Sequence, residues 1–245
     1  MAAARLRWRN GGVAHLARFV AAAVCAGALI TAGCADDRGP ATLAGAPSEW
    51  RHDTVRAMAP ADELGGADLR EVLGSRRSER ELSADPLSDS QLATLLWSAQ
   101  GVSAPTGART SPSAGALYPL ELYAVTPQEV LRYLPGDSSV QVRTDGTAKQ
   151  RLASAMGGAR ASQAYAIIAV AGVAARSTGK YGERGVRYMW MEAGHATQNL
   201  LLAATAMGLG AVPIGAFDDE AVSLSLGLPE GQTPLYLIPV GHPAG

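Results

Sequence analysis

The sequence predicts one α+β domain, preceded by a segment of different character. Strands and helices mix along the chain without the regular strand–helix alternation of a doubly wound sheet. Hydrophobic residues make up 47% of the sequence and charged residues 18%, a composition typical of a globular domain. A chain of 245 residues can bury one substantial core but not two large ones. We therefore place a single domain at residues 66–245.

The first helix of this domain is predicted at residues 66–75. Its three large apolar residues, Leu69, Val72 and Leu73, recur at helical spacing and are expected to share one face. Further short helices are predicted at 147–156 and 219–226. Strands are predicted at 120–126, 130–134, 140–143, 164–173, 211–214 and 235–240.

Two longer helices have clearer end signals. Ser88 is expected to cap the second helix at its N-terminus, and Gly101 to end it. Val186–Met207 reads as a long helix that is apolar almost all round, and Gly208 lies just past its end. A helix of this kind is normally buried, either in a core or at a subunit interface.

Charge and composition exclude several classes of partner. The formal net charge is -1, so there is no basic excess that would attract nucleic acid. The only cysteines, Cys25 and Cys34, lie close to the N-terminus, so the domain has no disulfide, thiolate zinc site or catalytic thiol. Each histidine stands alone, and we expect no metal site.

Residues 1–34 are predicted to be a lipoprotein-type signal peptide. A basic start precedes the apolar run Phe19–Ile30, and small residues then lead to Cys34. This order resembles a bacterial lipobox, which implies a lipid anchor at Cys34 and a place outside the cytoplasm. An ordinary signal peptide or a transmembrane anchor are the alternatives. Initiation at Met58 would instead give a cytoplasmic product with the domain intact.

Residues 35–65 are rich in Ala, Gly, Pro and Asp and show no sustained hydrophobic period. They are predicted to form a flexible tether between the anchor and the domain.

The first chemical motif is the run Arg76, Arg77, Ser78, Glu79 and Arg80. Guanidinium groups bind phosphate oxygens through paired hydrogen bonds, and a serine hydroxyl adds a donor. The run could therefore hold one phosphate monoester. Taken alone, it is more often a solvated charged surface.

The second motif is Arg109–Pro119, which contains the small residues Pro112, Ser113, Ala114 and Gly115. Small side chains let a flat ring approach the backbone, whose N–H groups can donate to it. A plain surface loop is the alternative. A hydrolase nucleophile elbow is excluded, because it would need glycine where Ser111 stands.

The third motif lies in and just before the long helix. Lys180 and Tyr181 precede it, and its polar residues are spaced so that they form one stripe on an otherwise apolar surface: Tyr188, Glu192, His195 and Asn199. The stripe needs partners, which could be internal, across a dimer interface, or in a ligand. For His195, a satisfied core or interface position is the simpler interpretation.

The fourth motif, Gly208–Phe217, begins like a dinucleotide-binding fingerprint. It has Pro213 where the third glycine should fall, and it follows a helix where the fingerprint follows a strand. A Rossmann-type site is therefore disfavoured.

In this order and spacing the motifs resemble the nitroreductase superfamily over most of residues 66–243, and most closely its SagB-type dehydrogenase branch. The blocks that carry the resemblance are RRSxR, PSxGALYP, KYGxRxxRYxxxExGHxxQN, GLGxxPxGxF and PVG. The branch includes flavin enzymes that oxidise azoline rings in ribosomal peptides. The resemblance implies an α+β fold with a central mixed or antiparallel sheet packed by helices, in an interlocked homodimer.

The resemblance also implies FMN at the subunit interface. By position, Arg76, Arg77, Ser78 and Arg80 would bind its phosphate and ribityl chain. Pro112, Ser113, Ala114 and Gly115 would line the isoalloxazine ring, and Gly215, Ala216 and Phe217 would approach it from the other side. Lys180 and Tyr181 match the pair that azoline-oxidising members use near the substrate.

Three functions follow as hypotheses. The first is hydride transfer between FMN and a small organic or peptide-derived, azoline-like substrate. The second is a general NAD(P)H-dependent nitro or quinone reductase, for which export would remove the usual nicotinamide donor. The third is a catalytically idle flavin-binding lipoprotein. The substrate pocket is expected to be shaped by loops at 102–110 and 174–187.

Overall fold

The structure is a computed structural model, and it describes residues 50, 54–61, 64–158 and 163–245. The predicted signal peptide and lipid-anchor cysteine, and most of the predicted tether, lie outside the described residues. Among the described residues, no helix combines the length and apolar character needed to cross a bilayer.

The domain is built on a seven-stranded sheet in which all the pairings are antiparallel. The strands are β1 (Thr54–Ala57), β2 (Leu120–Val125), β3 (Glu129–Leu134), β4 (Ser139–Thr144), β5 (Ala166–Val173), β6 (Gly210–Ala211) and β7 (Gln232–Gly241). Their order across the sheet is β1-β4-β3-β2-β5-β7-β6. The sequence prediction of an α+β fold is confirmed.

The helices of the described chain lie around this sheet. They are α1 (Leu69–Ser75), α2 (Asp89–Gln100), α3 (Ala148–Ala155), α4 (Ala174–Tyr181), α5 (Arg184–Ala206) and α6 (Asp219–Leu226). Ser88 caps α2 as predicted, in a reciprocal capping box with Gln91.

The core is divided between the two faces of the sheet, and the central strand β5 contributes to both. Its alternate residues Ile168 and Val170 pack in a cluster with α2 and α5. Ile167 and Ala169 point the other way, into a cluster with α3 and α6. A strand buried on both faces reads as a continuous apolar run, which explains why the sequence located β5 well.

Helix α5 buries one face and exposes another. Met189 and Leu200 lie in the core, whereas Val186, Trp190 and Met191 are 38%, 49% and 47% exposed in the single chain. Helix α5 therefore carries more large apolar side chains than the single chain buries.

The apolar side chains predicted to share one face of α1 differ in burial. Val72 is buried, but Leu69 and Leu73 are 64% and 55% exposed. Two of the three large apolar side chains of this seven-residue helix are therefore exposed in the single chain.

Part of the segment predicted as a tether is packed on the domain. Strand β1 pairs with β4 at the sheet edge. Trp50 is buried, its Nε1 donates to the Gly227 carbonyl at 2.9 Å, and its ring lies 5.7 Å from that of Tyr123. A product starting at Met58 would lack Trp50 and β1, so the expectation that it would keep the domain intact is wrong.

Residues 174–187, predicted as a loop, are mostly helical. Helix α4 follows β5 directly and turns into α5 at Gly182, whose φ is 57°. Gly185 lets α5 cross α4 closely, because a Cβ there would lie 2.5 Å from the Ser177 carbonyl carbon. The crossing brings the ends of α4 and α5 together.

Candidate active site

The loop Arg109–Pro119, here called the site loop, has an unusual backbone. Gly115, Ala116 and Tyr118 adopt positive φ values of 63°, 54° and 46°. Non-glycine residues rarely occupy this region, and they persist there only when their surroundings fix them. The backbone N–H of Tyr118 donates to Ser113 Oγ at 2.9 Å, and that of Ala116 donates to the Ser113 carbonyl at 3.1 Å.

Lys180 and Tyr181 at the end of α4 lie directly against Gly115. A Cβ placed on this glycine would be 2.6 Å from Tyr181 Oη and 2.9 Å from Lys180 Nζ. Glycine is therefore required both by the backbone angle and by the lack of space. The structure thus brings together two motifs that are about 65 residues apart in the sequence.

Tyr181 is held from its other side by α5. Its ring packs edge-to-face on that of Tyr188, with centroids 5.1 Å apart. Lys180 Nζ lies 5.5 Å from the Tyr181 ring centroid, at cation–π distance. A phenol and an ammonium group therefore face the same small backbone surface.

The arginine motif follows α1 and runs alongside β6. Arg76 caps the C-terminus of α1 and is half-buried, while Arg77, Ser78 and Arg80 are exposed. The backbone N–H of Glu79 donates to the Ala211 carbonyl at 3.1 Å.

Gly210 allows this approach. A Cβ at Gly210 would lie 2.8 Å from Glu79 Cγ, so a larger residue would push the arginine segment away. The first and fourth sequence motifs are therefore neighbours in the fold, on the side of the sheet edge that carries β6.

The arginine motif has the charge to hold an anion. Within the described part of the chain, Arg76, Arg77 and Arg80 form no ion pair, and Arg77 donates only to the Ser75 carbonyl at 3.1 Å. Guanidinium groups left without a carboxylate fit a phosphate group well. This donor set and the solvent-exposed backbone at Gly115 are consistent with the phosphate and ring of a flavin mononucleotide.

The residues predicted to approach the second face of the flavin ring differ in their exposure to solvent. Gly215 and Ala216 are exposed, and no atom lies within 4 Å of a Cβ built on Gly215. Phe217 is half-buried and packs against the core cluster of α3 and α6. Its side chain serves the core, so the open backbone in this segment is that of Gly215 and Ala216.

The polar stripe on α5 holds the site loop in place. Asn199 Nδ2 donates to the Thr110 carbonyl and to Ser111 Oγ, both at 3.1 Å. Glu192 is buried and accepts from Gln100 Nε2 at 3.4 Å. The spacing of the stripe predicted internal partners as one option. His195, in contrast, is exposed in the single chain. The core position for it is therefore wrong, and the interface position stays a prediction.

Sequence reasoning missed Gln100 and Arg176 as parts of this region, and it gave no role to Arg109, the first residue of the second motif. Arg109 Nη1 donates to Gln100 Oε1 at 2.9 Å, and its guanidinium lies 4.4 Å above the Tyr118 ring. Arg176 donates to the Tyr118 carbonyl at 3.0 Å and pairs with Glu121. No local pattern marks Arg176, because its partners lie 58 and 55 residues away along the chain.

Burial sets the protonation behaviour of this region. Burial raises the pKa of Glu192, although Ser113, Gln100 and Arg109 partly offset the shift by favouring the carboxylate. Burial likewise lowers the pKa of Arg109, and the charge of Glu192 opposes that shift. A carboxyl group with a raised pKa thus lies behind the site loop.

A mainly apolar cavity of about 300 Å³ adjoins the same loop. Thr110 and Asn199 form one wall of it, and the rest is lined by side chains of α1, α2 and α5, including Val72, Trp97 and Leu202. Within the described residues, no group of three or more His, Cys, Asp or Glu side chains could hold a metal ion.

Comparison with known proteins defines the class. Residues 73–242 match the Nitroreductase family. The protein MJ1384 of Methanocaldococcus jannaschii, which is named as a nitroreductase, is 38% identical over 197 residues, covering 78% of this chain and 98% of that protein. The chain therefore belongs to the nitroreductase family, and it is an oxidoreductase of the flavin type.

Solved structures share the fold. A protein from Ralstonia eutropha JMP134, also named as a nitroreductase, aligns with a TM-score of 0.69 at 25% identity, over 78% of this chain and 90% of that one. The NADPH:FMN oxidoreductase of Vibrio harveyi, solved with NAD+, aligns with a TM-score of 0.55 at 24% identity, over 72% and 69% of the two chains.

Proposed function

We propose that this protein is an FMN-dependent oxidoreductase of SagB type, acting on a small organic or peptide-derived substrate with azoline-like chemistry. The observation that carries the proposal is the contact of Lys180 and Tyr181 with Gly115. Both side chains could transfer a proton, and they lie against the backbone surface where the family resemblance puts the isoalloxazine ring.

The phosphate end of FMN would bind at the arginine motif. Arg76 and Arg80 would donate to the phosphate oxygens, with Ser78 adding a hydroxyl donor and Arg77 contributing charge. The motif lies beside β6, which leads through Pro213 to the open backbone of Gly215 and Ala216. That backbone would approach one face of the ring, and Pro112–Gly115 the other.

Bound FMN would supply the hydride chemistry, accepting a hydride from a reduced substrate or returning one to an oxidised substrate. Azoline oxidation also releases a proton. Tyr181 Oη and Lys180 Nζ lie against the same glycine, and one of them, as a phenolate or as a neutral amine, would take that proton, while Tyr188 packs on the tyrosine ring.

The second candidate is an NAD(P)H-dependent nitro or quinone reductase. It is favoured by the name of the Methanocaldococcus relative and by that of the Vibrio fold neighbour, which acts with NADPH and FMN. In such an enzyme the flavin takes its hydride from the nicotinamide. Lys180 and Tyr181 would then serve the oxidised substrate.

An anaerobic reduction assay separates these functions. The FMN-loaded protein is mixed with NADH, NADPH or an azoline-containing peptide, and loss of the oxidised-flavin absorbance is followed. The SagB proposal expects bleaching by the peptide and, in Tyr181→Phe, slower bleaching with FMN retained. Bleaching by NAD(P)H alone would favour the reductase, and no bleaching by any donor would favour the idle flavoprotein.

We also propose, from the sequence alone, that the mature protein is lipid-anchored through Cys34 outside the cytoplasm. NAD(P)H is not normally supplied there, so a reduced substrate would give its electrons to the flavin. A membrane quinone would then be a suitable electron acceptor, because the anchor holds the flavin near the membrane. Fatty-acid labelling of wild type and Cys34→Ser in the native host tests the anchor. An unlabelled wild-type protein in the soluble cytoplasmic fraction would contradict it.

A further inference from the structure

A buried carboxyl group lies behind the site loop. Glu192 projects from the middle of α5 and is 2% exposed. Its carboxylate accepts a hydrogen bond from Gln100 Nε2 in α2 at 3.4 Å, and the side chain of Ser113 in the site loop is near enough to favour its charged form. A carboxylate in such a position is unfavourable unless its partners satisfy it. Glu192 therefore connects two helices of the core to the segment assigned to the ring.

Arg109 closes the same network at the other end of the loop. It donates to Gln100 Oε1 at 2.9 Å, and its guanidinium stacks 4.4 Å above the Tyr118 ring. Arg109, at the start of the loop, therefore contacts Tyr118 near its end. We call Gln100, Arg109, Ser113 and Glu192 the buttress network.

Ser113 links this network to the strained backbone. Its Oγ accepts from the Tyr118 N–H at 2.9 Å while its hydroxyl hydrogen is free to point to Glu192. Tyr118 and Ala116 are two of the three non-glycine residues with positive φ in the described chain. Such backbone angles persist where the surroundings over-determine them, and the buttress network provides those surroundings.

The contact with Lys180 and Tyr181 depends on this backbone. Gly115 meets Tyr181 Oη only because the loop turns with positive φ at residues 115 and 116. A loop that relaxed toward ordinary φ values would move Gly115 away from both side chains. The network thus acts on the site without touching the reacting atoms.

We infer that Glu192 is a positioning residue that presets the site loop for the flavin ring through Ser113, and through Gln100 and Arg109. This inference rests on the proposed function in one respect, the presence of FMN at Pro112–Gly115. The claim that Glu192 orders the loop does not depend on the flavin, so the two parts can be tested separately.

The first test uses the flavin-free protein. Hydrogen exchange of the amides of residues 109–118 is compared in wild type, Glu192→Ala and Glu192→Gln. Glutamine keeps the shape of the side chain and one of its two oxygens, so it retains an acceptor for Ser113. We expect faster exchange in the alanine variant, by roughly tenfold or more, and near wild-type exchange in the glutamine variant.

Thr197→Val is the matched control. Thr197 is buried on the same helix, and its hydroxyl has no hydrogen-bond partner among the described residues. Its loss should leave exchange in the site loop unchanged. If Glu192→Ala folds poorly, Arg109→Gln serves instead, because Arg109 is only half-buried and should show the same increase.

The second test measures FMN binding to the same proteins. We expect Glu192→Ala to bind FMN roughly tenfold or more weakly, with an altered visible circular dichroism spectrum of the bound flavin, and Glu192→Gln to recover both. Unchanged exchange in Glu192→Ala and Arg109→Gln would overturn the inference. Failure of the wild-type protein to bind FMN would overturn the proposed function, even if the exchange result stood.

Discussion

Arg76 and Arg80 are the side chains on which flavin retention is expected to depend most. Both lack a carboxylate partner among the described residues, and both belong to the segment that runs beside β6. Neither side chain is fully buried, so each bond to a phosphate would be partly screened by solvent. Their combined contribution is still large, because hydrogen bonds to charged groups are worth about 1.5–3 kcal/mol each.

We therefore expect the double substitution Arg76→Ala and Arg80→Ala to remove most of the FMN. A combined loss of about 3 kcal/mol weakens binding by roughly two orders of magnitude. The measurement is flavin per chain after gel filtration. Arg56→Ala is the control, because Arg56 is an exposed arginine paired with Glu129 at the far edge of the sheet. Undiminished flavin in the double variant would contradict the phosphate assignment.

The raised pKa of Glu192 predicts how the free energy of unfolding changes with pH. Its pKa is raised in the folded protein, so the folded state binds the proton more tightly than the unfolded state. The stabilisation is complete below the unfolded-state pKa of about 4.3 and is lost as pH rises through the raised value. The charged group that faces Glu192 is Arg109, and it opposes the shift without reversing it.

Urea unfolding of wild type and Glu192→Gln across this pH range tests the sign. The free energy of unfolding of the wild type should fall relative to that of the glutamine variant as pH rises. A wild type that gains stability relative to Glu192→Gln over the same range would show that the pKa is lowered, not raised.

At the scale of elements, the sequence located most of the fold where periodicity and caps were clear. Ser88 and Gly101 bracket α2 as predicted, and the apolar run of β5 is a buried strand. Helix α4 was missed because its sequence, AARSTGKY, has no large apolar side chain to form a stripe. Strand β1 was missed because four residues at a sheet edge carry almost no pattern, and all four are exposed.

The residues of the site likewise fall into those that the sequence could predict and those that it could not. The motif at Gly115 could be predicted because glycine and small residues mark unusual backbone in the sequence itself. The role of Arg109 could not, because it depends on Gln100 and Tyr118, which approach it only in the folded chain. Phe217 illustrates a third case, because its motif is proposed to line the flavin ring while its side chain packs against the core.

Trp50 is expected to stabilise the edge of the domain that carries β1. It anchors the segment before β1 through its hydrogen bond to Gly227, and the guanidinium of Arg143 lies 4.9 Å from its ring. We expect Trp50→Ala to lower the free energy of unfolding by about 3–5 kcal/mol, as for other buried large-to-small changes. Trp50→Phe, which keeps most of the ring volume, should lose less. A chain starting at Met58 that is as stable as the full chain would contradict this.

At the scale of the whole molecule, the exposed apolar side chains of α5 indicate a subunit interface. Val186, Trp190 and Met191 lie on one helix, and Leu69 and Leu73 add an exposed apolar strip on α1. Monomeric proteins rarely leave such surfaces in contact with water. We therefore expect a homodimer, which is also the assembly implied by the family resemblance.

Light scattering should give a mass of about twice 25.2 kDa for the full chain at micromolar concentration. Trp190→Asp should shift the protein toward monomer, because it places a charge in the apolar interface. Leu224→Asp is the matched control, since Leu224 is 37% exposed on α6 and lies away from α5. A monomeric wild type, or equal effects of both variants, would contradict the assignment.

The central claim is that this chain is a flavoenzyme that holds FMN between the arginine motif and the site loop. The most direct measurement is the identity and amount of flavin released when the purified, FMN-reconstituted protein is denatured after gel filtration. The account predicts FMN, at about one molecule per chain, falling sharply in the Arg76→Ala and Arg80→Ala variant. A wild-type protein that retains no flavin after reconstitution, or retains FMN equally in that variant, would contradict the account.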